Sequence, residues 1–329
     1  MMLPAAPENI LTADGQPKFG RYAGHVGHFD WHELAPPHAR GRWWRRFHHK
    51  RWHYVALATP ELFCGVAIVD VGWTNTAFAY AFDRRERRIV AEFSQDGVPG
   101  LSASVAAHAD GASRFRFLSR HISIACVGQR LYRLKLAGAG LAIEAEFGPD
   151  LMPLLLAFGP AAGGSVHATQ KSTGLPLWGE ARCGAARYKL DGGVASFDYS
   201  NGLLARHTAW RWASAHSLDV GFNLQAGYFG ANENALWLDG QLFALGAAHF
   251  NFNPAAPLAP WHIYTDDGLL ELHFKPEGAR AEDKNLLIAA SRYVQPIGTF
   301  SGWVRASLDA PKRIVSQLVG VTEDHESRW

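Results

Sequence analysis

The sequence has few cysteines and no long apolar run, and each shortage excludes a class of protein. Only three of its 329 residues are cysteine, and Cys64, Cys126 and Cys183 lie far apart. They offer neither a disulfide framework nor a zinc knuckle, which is typical of a reducing compartment. No stretch approaches the roughly 20 consecutive apolar residues of a transmembrane helix. The first residues also lack the basic and apolar regions of a signal peptide, so we expect a cytoplasmic protein.

Several catalytic motifs are also absent from the sequence. It contains no Gly-x-Ser-x-Gly elbow, no phosphate-binding loop and no dinucleotide fingerprint. Serine hydrolysis, phosphoryl transfer and nicotinamide chemistry are therefore disfavoured, and we expect no cofactor. With 48% hydrophobic residues and a net charge of +2, the chain is that of a globular protein with no overall attraction to nucleic acid.

Tryptophan and histidine, in contrast, are abundant, with 12 and 16 residues. Tryptophan combines a large apolar surface with one N–H donor, which suits a pocket for a hydrophobic ligand. The alternative is that these aromatic side chains fill the core.

Alternation of large and small or of apolar and polar residues predicts β-strands along most of the chain. Phe78, Tyr80 and Phe82 alternate with alanines, so that each set occupies one face of a strand. Turn-forming sequences separate such stretches, as antiparallel hairpins require. We therefore predict an all-β fold. The same alternation recurs in Ser113–Ser119, His249–Asn253 and Leu269–Lys275.

The clearest break in composition is the Gly/Ala-rich stretch Phe158–Ser165, close to the middle of the chain. It predicts two β-rich halves, residues 1–160 and 161–329. A weak internal echo supports this division, because a basic and aromatic strand around Trp52 in the first half resembles one around Trp210 in the second.

A cluster of imidazoles and carboxylates near the N-terminus could bind zinc or iron. However, the helical His-Glu-x-x-His pattern is missing and histidine is frequent throughout the chain, so ordinary hydrogen-bonded histidines are the favoured interpretation and we expect no metal. The residues of this cluster are His25, His28, Asp30, His32 and Glu33.

The segment Arg40–Tyr54 contains six Arg or Lys residues and no acid, interleaved with aromatic residues. Such a pattern can stack on bases beside phosphate contacts, or attract an anionic head group or membrane surface. The favoured interpretation is a strand whose cations face water while Trp52 and Tyr54 face inward. We expect no nucleic-acid partner, and peripheral membrane contact remains an open alternative.

The stretch Asp198–Ala215 carries the main candidate site. Asn201-Gly202 is typical of a tight turn, with Asp198 and Tyr199 before it. In the strand that follows, Trp210 and Trp212 share one face. We expect the two indoles to line a barrel wall, with Asp198 at the rim as an acid or a hydrogen-bond anchor. The alternative is that Asp198 caps a turn and the tryptophans are core.

Polar residues downstream extend this candidate site. Asn223 lies among apolar residues in a predicted strand, where asparagine is unfavourable, so we expect it to have a specific partner. Asn232, Glu233 and Asn234 follow at a predicted hairpin. Any one of them could be an ordinary turn residue, but together they suggest a site.

Six segments resemble an uncharacterised bacterial family, domain of unknown function 2804. That family is in turn similar to the carotenoid hydratase and tocopherol cyclase group of lipocalin-like proteins. The resemblance implies two tandem lipocalin-like, calycin-type antiparallel barrels or half-barrels, whose interior would suit a small apolar ligand. The segments are His48–Leu57, Val69–Trp73, Asp198–Ala215, Gly221–Gly227, Asn232–Gly240 and Ile297–Val304.

The resemblance further implies an isoprenoid or fatty ligand and acid-initiated hydration, cyclisation or isomerisation of a C=C bond. Asp198 would be the acid, kept neutral by burial against Trp210 and Trp212, and Glu233 would be its partner. The hydratases have more histidine and tryptophan around the corresponding Asp. A non-catalytic lipid carrier or sensor using the same cavity is the alternative. The residues expected to bind the ligand are Trp52, Tyr199, Trp210, Trp212, Asn223, Asn232 and Asn234.

Overall fold

The computed structural model describes residues 2–27, 29–285 and 289–329. Strands account for 59% of the chain and helix for 2%, which confirms the predicted all-β class. The strands form two curled antiparallel sheets, one a nearly closed barrel and the other a half-barrel. Among the described residues, no helix has the length and apolar character required to cross a membrane.

The first sheet is the nearly closed barrel, and its main path runs β5-β4-β3-β2-β15-β13-β10-β9-β8-β7-β6. A short helix, α1 (Arg42–His48), precedes its second strand. The strands found in the described part of this sheet are β1 (Gly20–Ala23), β2 (His49–Ala58), β3 (Leu62–Asp70), β4 (Asn75–Asp83), β5 (Arg88–Gly97), β6 (Ala103–Ser104), β7 (Ser113–Phe117), β8 (Arg120–Cys126), β9 (Tyr132–Gly138), β10 (Leu141–Phe147), β11 (Leu155–Pro160), β12 (Val166–Lys171), β13 (Leu175–Cys183), β14 (Ala186–Lys189) and β15 (Gly193–Leu203).

The second sheet is the half-barrel, in the order β19-β18-β17-β16-β24-β23-β22-β21-β20. The chain passes between the sheets at residues 204–206. The expected boundary at residue 160 instead separates β11 from β12, which pair with each other in the first sheet. The strands described here are β16 (His207–His216), β17 (Val220–Gly227), β18 (Ala235–Leu238), β19 (Gln241–Ala244), β20 (Ala248–Asn251), β21 (Trp261–Thr265), β22 (Leu270–Asn285), β23 (Ala290–Val304) and β24 (Arg313–Arg328).

Strand β4 shows how the sheets pack together. Its alanines face the apolar core inside the first barrel. Tyr80 and Phe82 lie on the outer face, in a cluster with Trp212 and Ile297 of the second sheet. The Tyr80 hydroxyl also donates a hydrogen bond of 2.5 Å to Oε1 of Gln295. The expectation of half-buried strands therefore fails for β4, because the second sheet covers its outer face.

Strand β15 continues through the expected turn at Asn201-Gly202. Both residues stay in the strand and pair with β2 on one side and β12 on the other. The Asn201 side chain accepts hydrogen bonds of 2.7 Å from Trp31 and His49. A Cβ atom at Gly202 would lie 2.6 Å from Nδ1 of His167. Glycine is therefore needed here for close packing and not for a turn.

His25 joins three loops of the first barrel. Its Nδ1 lies 2.8 Å from Oδ2 of Asp110 and its Nε2 lies 2.9 Å from Oδ2 of Asp150. The Tyr132 hydroxyl donates a further hydrogen bond of 2.7 Å to Asp110. Burial lowers the pKa of His25, but the hydrogen bonds and charges of the two carboxylates outweigh it and raise the pKa of His25 to about 9.

His25→Gln should destabilise the protein in a pH-dependent way. Because the pKa of His25 is raised above that of an unfolded chain, its stabilisation is fully present below pH about 6.5 and is lost as the pH rises to about 9. The free energy of unfolding in urea should be measured for wild type and variant at pH 6 and above pH 9. The difference between the two proteins should be larger at pH 6 by up to about 3 kcal/mol.

His121→Gln at an exposed position is the matched control and should leave the free energy of unfolding nearly unchanged. An equal loss of stability in His25→Gln at both pH values would contradict a charged His25.

Candidate functional site

A cavity of about 130 Å³ lies between the two sheets, outside the core of either one. The apolar interiors of both sheets are filled by buried side chains. The cavity therefore does not lie inside a barrel as expected, because the outer face of the first sheet forms one of its walls. The main lining residues are Trp52, Tyr54, Ala67, Val69, Phe78, Lys171, Asp198, Trp210, Trp212, Gln225, Tyr228, Glu233, Tyr293, Gln295, Glu323, His325 and Trp329.

Strand alternation supplies the aromatic walls. In β2, Trp52 and Tyr54 point toward the cavity, while Val55 points into the barrel core. From the other sheet, β16 presents Trp210 and Trp212 to the same space. The rings of Tyr54 and Trp212 meet edge to face with their centroids 5.9 Å apart, so this part of the cavity lining is aromatic.

A buried lysine lies between two carboxyl groups in the cavity wall. Lys171 at the end of β12 donates a hydrogen bond to Oδ2 of Asp198, and its Nζ lies 3.4 Å from Oε2 of Glu233. Asp198 Oδ1 also accepts hydrogen bonds from the hydroxyls of Thr169 and Ser200, at 3.2 and 3.1 Å. The surroundings of Asp198 thus differ from the apolar ones expected, because a buried ammonium group and two hydroxyls contact its carboxyl group.

Glu233 is the group in this cluster whose neutral form is favoured. Burial raises the pKa of Glu233, and the charge of Asp198 raises it further, although Lys171 opposes both effects. Burial alone would lower the pKa of Lys171, but Asp198 and Glu233 outweigh it and hold that pKa above its ordinary value. One ammonium balances one carboxylate, so a protonated Glu233 leaves the buried cluster without net charge.

The second sheet contributes a separate polar group from β24. Glu323 accepts hydrogen bonds from Nε1 of Trp210 at 2.9 Å and from Nε2 of Gln295 at 2.7 Å. His325 Nδ1 lies 3.1 Å from the same carboxylate. Its Nε2 lies 2.8 Å from the hydroxyl of Ser327. The cavity thus has an ammonium and carboxyl cluster on one wall and a histidine–carboxylate pair on another.

Five of the predicted site residues meet in the cavity: Trp52, Asp198, Trp210, Trp212 and Glu233. These five residues come together from three different strands and one turn. Neither spacing nor composition could show that β2 and β16 face each other across a gap.

Tyr199 does not line the cavity. Successive strand residues point to opposite faces, so when Asp198 faces the cavity, Tyr199 enters the barrel core. There its hydroxyl donates a hydrogen bond of 2.9 Å to the carbonyl of Ala106. Its expected contact with a ligand in this cavity therefore has no support from the geometry.

The three predicted asparagines support the site without lining it. Asn223 accepts a 2.7 Å hydrogen bond from the indole of Trp212 and donates one of 3.0 Å to the carbonyl of Glu233. Asn234 accepts a bond of 2.6 Å from the backbone N–H of Gln225, and Asn232 donates one of 2.6 Å to the carbonyl of Phe229. These contacts fix the turn that carries Glu233.

Sequence reasoning missed the lysine at the centre of the cluster. A signal was present, since His167, Thr169 and Lys171 place polar groups on one face of a buried strand, where polar residues need partners. Other polar and aromatic cavity residues that were missed include Gln225, Tyr228, Tyr293, Gln295, Glu323, His325 and Trp329.

The candidate metal cluster near the N-terminus is dispersed. His25 contacts two aspartates of other loops, as described above, and His32 Nδ1 lies 2.9 Å from the Arg45 guanidinium. Asp30 accepts a hydrogen bond from the backbone N–H of His32, and His28 lies outside the described residues. Within the described ranges, no group of three or more His, Cys, Asp or Glu side chains is placed to hold a metal ion.

The basic segment Arg40–Tyr54 differs from the single strand that was expected. Its first part forms α1, which has no buried residue, and its second part forms β2. Trp52 and Tyr54 face inward to the cavity wall, while Trp43 and Phe47 on α1 are exposed by 74% and 55%.

Comparison with known proteins places this architecture among solved structures at low sequence identity. A putative AttH from Nitrosomonas europaea covers 88% of this chain and 98% of its own, with 12% identity and a TM-score of 0.58. CghA in complex with Sch210972 matches over 98% of this chain and 97% of its own, with 11% identity and a TM-score of 0.58. Kievitone hydratase from Nectria haematococca matches over 94% and 98%, with 10% identity and a TM-score of 0.50. These likenesses show the fold.

The family comparison is more specific than the structural one. No curated protein matches the sequence. The model of one family, however, matches residues 4–329, which is nearly the whole chain. The protein therefore belongs to the family described as domain of unknown function DUF2804.

Proposed function

We propose that this protein catalyses the acid-initiated hydration, cyclisation or isomerisation of a C=C bond in a hydrophobic small molecule held between its two sheets. The observation that carries the proposal is the buried cluster of Lys171, Asp198 and Glu233, in which Glu233 can hold a proton beside aromatic walls. The similarity of fold to a kievitone hydratase supports the same class of reaction.

The chemical step begins with the Glu233 carboxyl group. The π electron pair of the alkene takes the proton of Glu233 and forms a C–H bond, which leaves a cation on the other alkene carbon. Water or a hydroxyl group of the substrate then adds to that carbon through an oxygen lone pair and loses one proton. In this proposal the pair of His325 and Glu323, which lines the same cavity, accepts this proton, and exchange with solvent returns a proton to Glu233.

Lys171 assists proton donation by stabilising the carboxylate form of Glu233. After the transfer, Glu233 is a carboxylate whose Oε2 lies 3.4 Å from the ammonium, and opposite charges at that distance attract strongly in a buried site. The faces of Trp52, Trp210 and Trp212 provide the electron-rich surface that stabilises a developing carbocation. Burial and charge thus favour both steps.

Lipid transport or sensing in the same cavity is the second candidate function. An aromatic cavity alone would suffice for it. Three buried ionisable groups are costly to desolvate, however, and an apolar ligand would not need them for binding. The cluster therefore favours an enzyme over a carrier.

Glu233→Gln should abolish turnover and preserve binding, because glutamine keeps the shape of the side chain but donates no acidic proton. Limonene and geraniol in D₂O serve as probes, with mass spectrometry reporting deuterium incorporated into recovered material. We expect the incorporation rate to fall at least about 100-fold, while quenching of tryptophan fluorescence by the same probes persists.

Glu326→Gln, on the exposed part of β24, is the matched control and should exchange like wild type. Undiminished incorporation by Glu233→Gln would exclude Glu233 as the acid. Probes that quench fluorescence in wild type and never exchange would favour the carrier.

The pH at which the deuterium exchange rate falls should shift in opposite directions when Asp198 or Lys171 is replaced. Exchange requires protonated Glu233, so its rate should fall as the pH rises through the raised pKa of Glu233. Asp198→Asn removes a charge that raises this pKa, so the fall should move to lower pH. Lys171→Met removes a charge that lowers it, so the fall should move to higher pH.

Shifts of both variants in the same direction would show that the rate follows another group. Circular dichroism of each variant at every pH distinguishes a titration from unfolding.

A further inference from the structure

Gln225 carries a buried amide without a partner in the cavity wall. The residue lies in β17 opposite Trp212, and only 2% of its surface is exposed. Neither the side-chain nitrogen nor the side-chain oxygen has a hydrogen-bond partner among the described residues. The backbone N–H of Gln225 donates a hydrogen bond to the side chain of Asn234, which fixes the strand at this point. The side-chain amide of Gln225 is thereby held at the cavity.

An unpaired amide at this place is expensive for the fold. A buried donor or acceptor without a partner destabilises the folded state, whereas leucine would fill a similar volume without that loss. A second buried polar atom without a partner lies on another wall of the cavity. It is the hydroxyl of Tyr293 in β23, which also has no hydrogen-bond partner among the described residues. Both groups therefore lack a polar partner that a ligand can provide.

We propose that Gln225 is a specificity-determining residue that binds a carbonyl or hydroxyl oxygen of the substrate. The substrate class is thus an oxygenated, unsaturated hydrophobic molecule and not a pure hydrocarbon. This inference rests on the proposed function, in which the same cavity holds the reacting double bond. The amide N–H of Gln225 donates to the substrate oxygen, and its carbonyl accepts a hydrogen bond when that oxygen belongs to a hydroxyl.

The position of Gln225 fits such a role. Residues 225 and 212 are paired in adjacent strands, so the amide lies at the level of the Trp212 indole, and Glu233 lines the same cavity. Binding an oxygen at Gln225 fixes which carbons of the substrate face the acid. A hydrocarbon would leave the Gln225 amide unpaired and would itself have no polar contact to orient it.

Limonene and carvone test this inference because they share a ring and double bonds and differ chiefly by a carbonyl group. Their dissociation constants, measured by tryptophan fluorescence, should favour carvone about tenfold in wild type. Gln225→Leu should lose this preference by weakening carvone binding alone. Gln241→Leu, at an exposed position of β19, makes the same substitution outside the cavity and should keep it.

A wild-type protein that does not prefer carvone overturns the inference, and so does a Gln225→Leu variant that retains the preference. Either result leaves the proposed reaction intact if deuterium exchange still depends on Glu233. Loss of that dependence, with the carvone preference preserved, would instead remove the reaction and leave an oxygen-binding pocket.

A second, independent observation concerns the surface beside the cavity. Exposed Trp43 and Phe47 lie one turn apart on α1, as do Arg42 and Arg46. The chain has no acidic residue from 34 to 60. Trp329 lines both the cavity and a neighbouring groove of about 270 Å³ that also contains Phe47. A surface of exposed aromatic and basic side chains therefore adjoins the substrate cavity.

We propose that α1 docks this surface onto an anionic lipid bilayer. Its indole and phenyl rings enter the interface while the arginines pair with lipid phosphates. A hydrophobic substrate dissolved in that bilayer would then meet the groove beside Trp329 without crossing water. The positive charge identifies an anionic bilayer as the partner in place of a neutral one.

Co-sedimentation with vesicles of phosphatidylcholine, with and without phosphatidylglycerol, tests the docking surface. We expect binding only to the anionic vesicles, with a loss of about thirtyfold in Arg42→Gln/Arg46→Gln and a clear loss in Trp43→Ala/Phe47→Ala. Trp178→Ala removes another exposed tryptophan and should bind like wild type. Equal binding by all variants overturns the proposal, as does binding to RNA oligonucleotides but not to vesicles.

Discussion

The ammonium group of Lys171, buried beside two carboxyl groups, sets the electrostatics of the space between the sheets. A single buried cation compensates a single anion, and Asp198 takes that role through a direct hydrogen bond. Glu233 is then left with a carboxyl group whose ionisation would add an uncompensated charge to the interior. The raised pKa of Glu233 is thus a consequence of burial and charge balance, and it requires β12, β15 and the turn after β17 to meet.

The alternation of strand residues lets the same strands build a core and a cavity. In β2, β4 and β15, one set of side chains fills the first barrel and the other set faces the second sheet. The first sheet can therefore stay rigid and close-packed inside while its outer surface forms a binding wall. Packing of the half-barrel against this surface completes the cavity and buries most of the cluster.

The chain also shows why a shared fold does not by itself assign a reaction. Its solved neighbours are 10–12% identical to it, and function depends on the side chains that a fold carries. Here the buried cluster of Lys171, Asp198 and Glu233 supports acid chemistry, and the unpartnered amide of Gln225 supports an oxygenated substrate.

The sequence by itself determined the all-β class, several strands and five residues of the cavity, because alternation and turn chemistry are local properties of the chain. It did not reveal that Asn201-Gly202 continues a strand, that Tyr199 enters a core, or that Lys171 compensates Asp198. Those features depend on which strands become neighbours, and Lys171 and Glu233 are 62 positions apart in the chain. Only the tertiary structure decided that the pKa of Glu233 is raised, since the pKa of a buried acid is set by its burial and by the charges that packing brings to it.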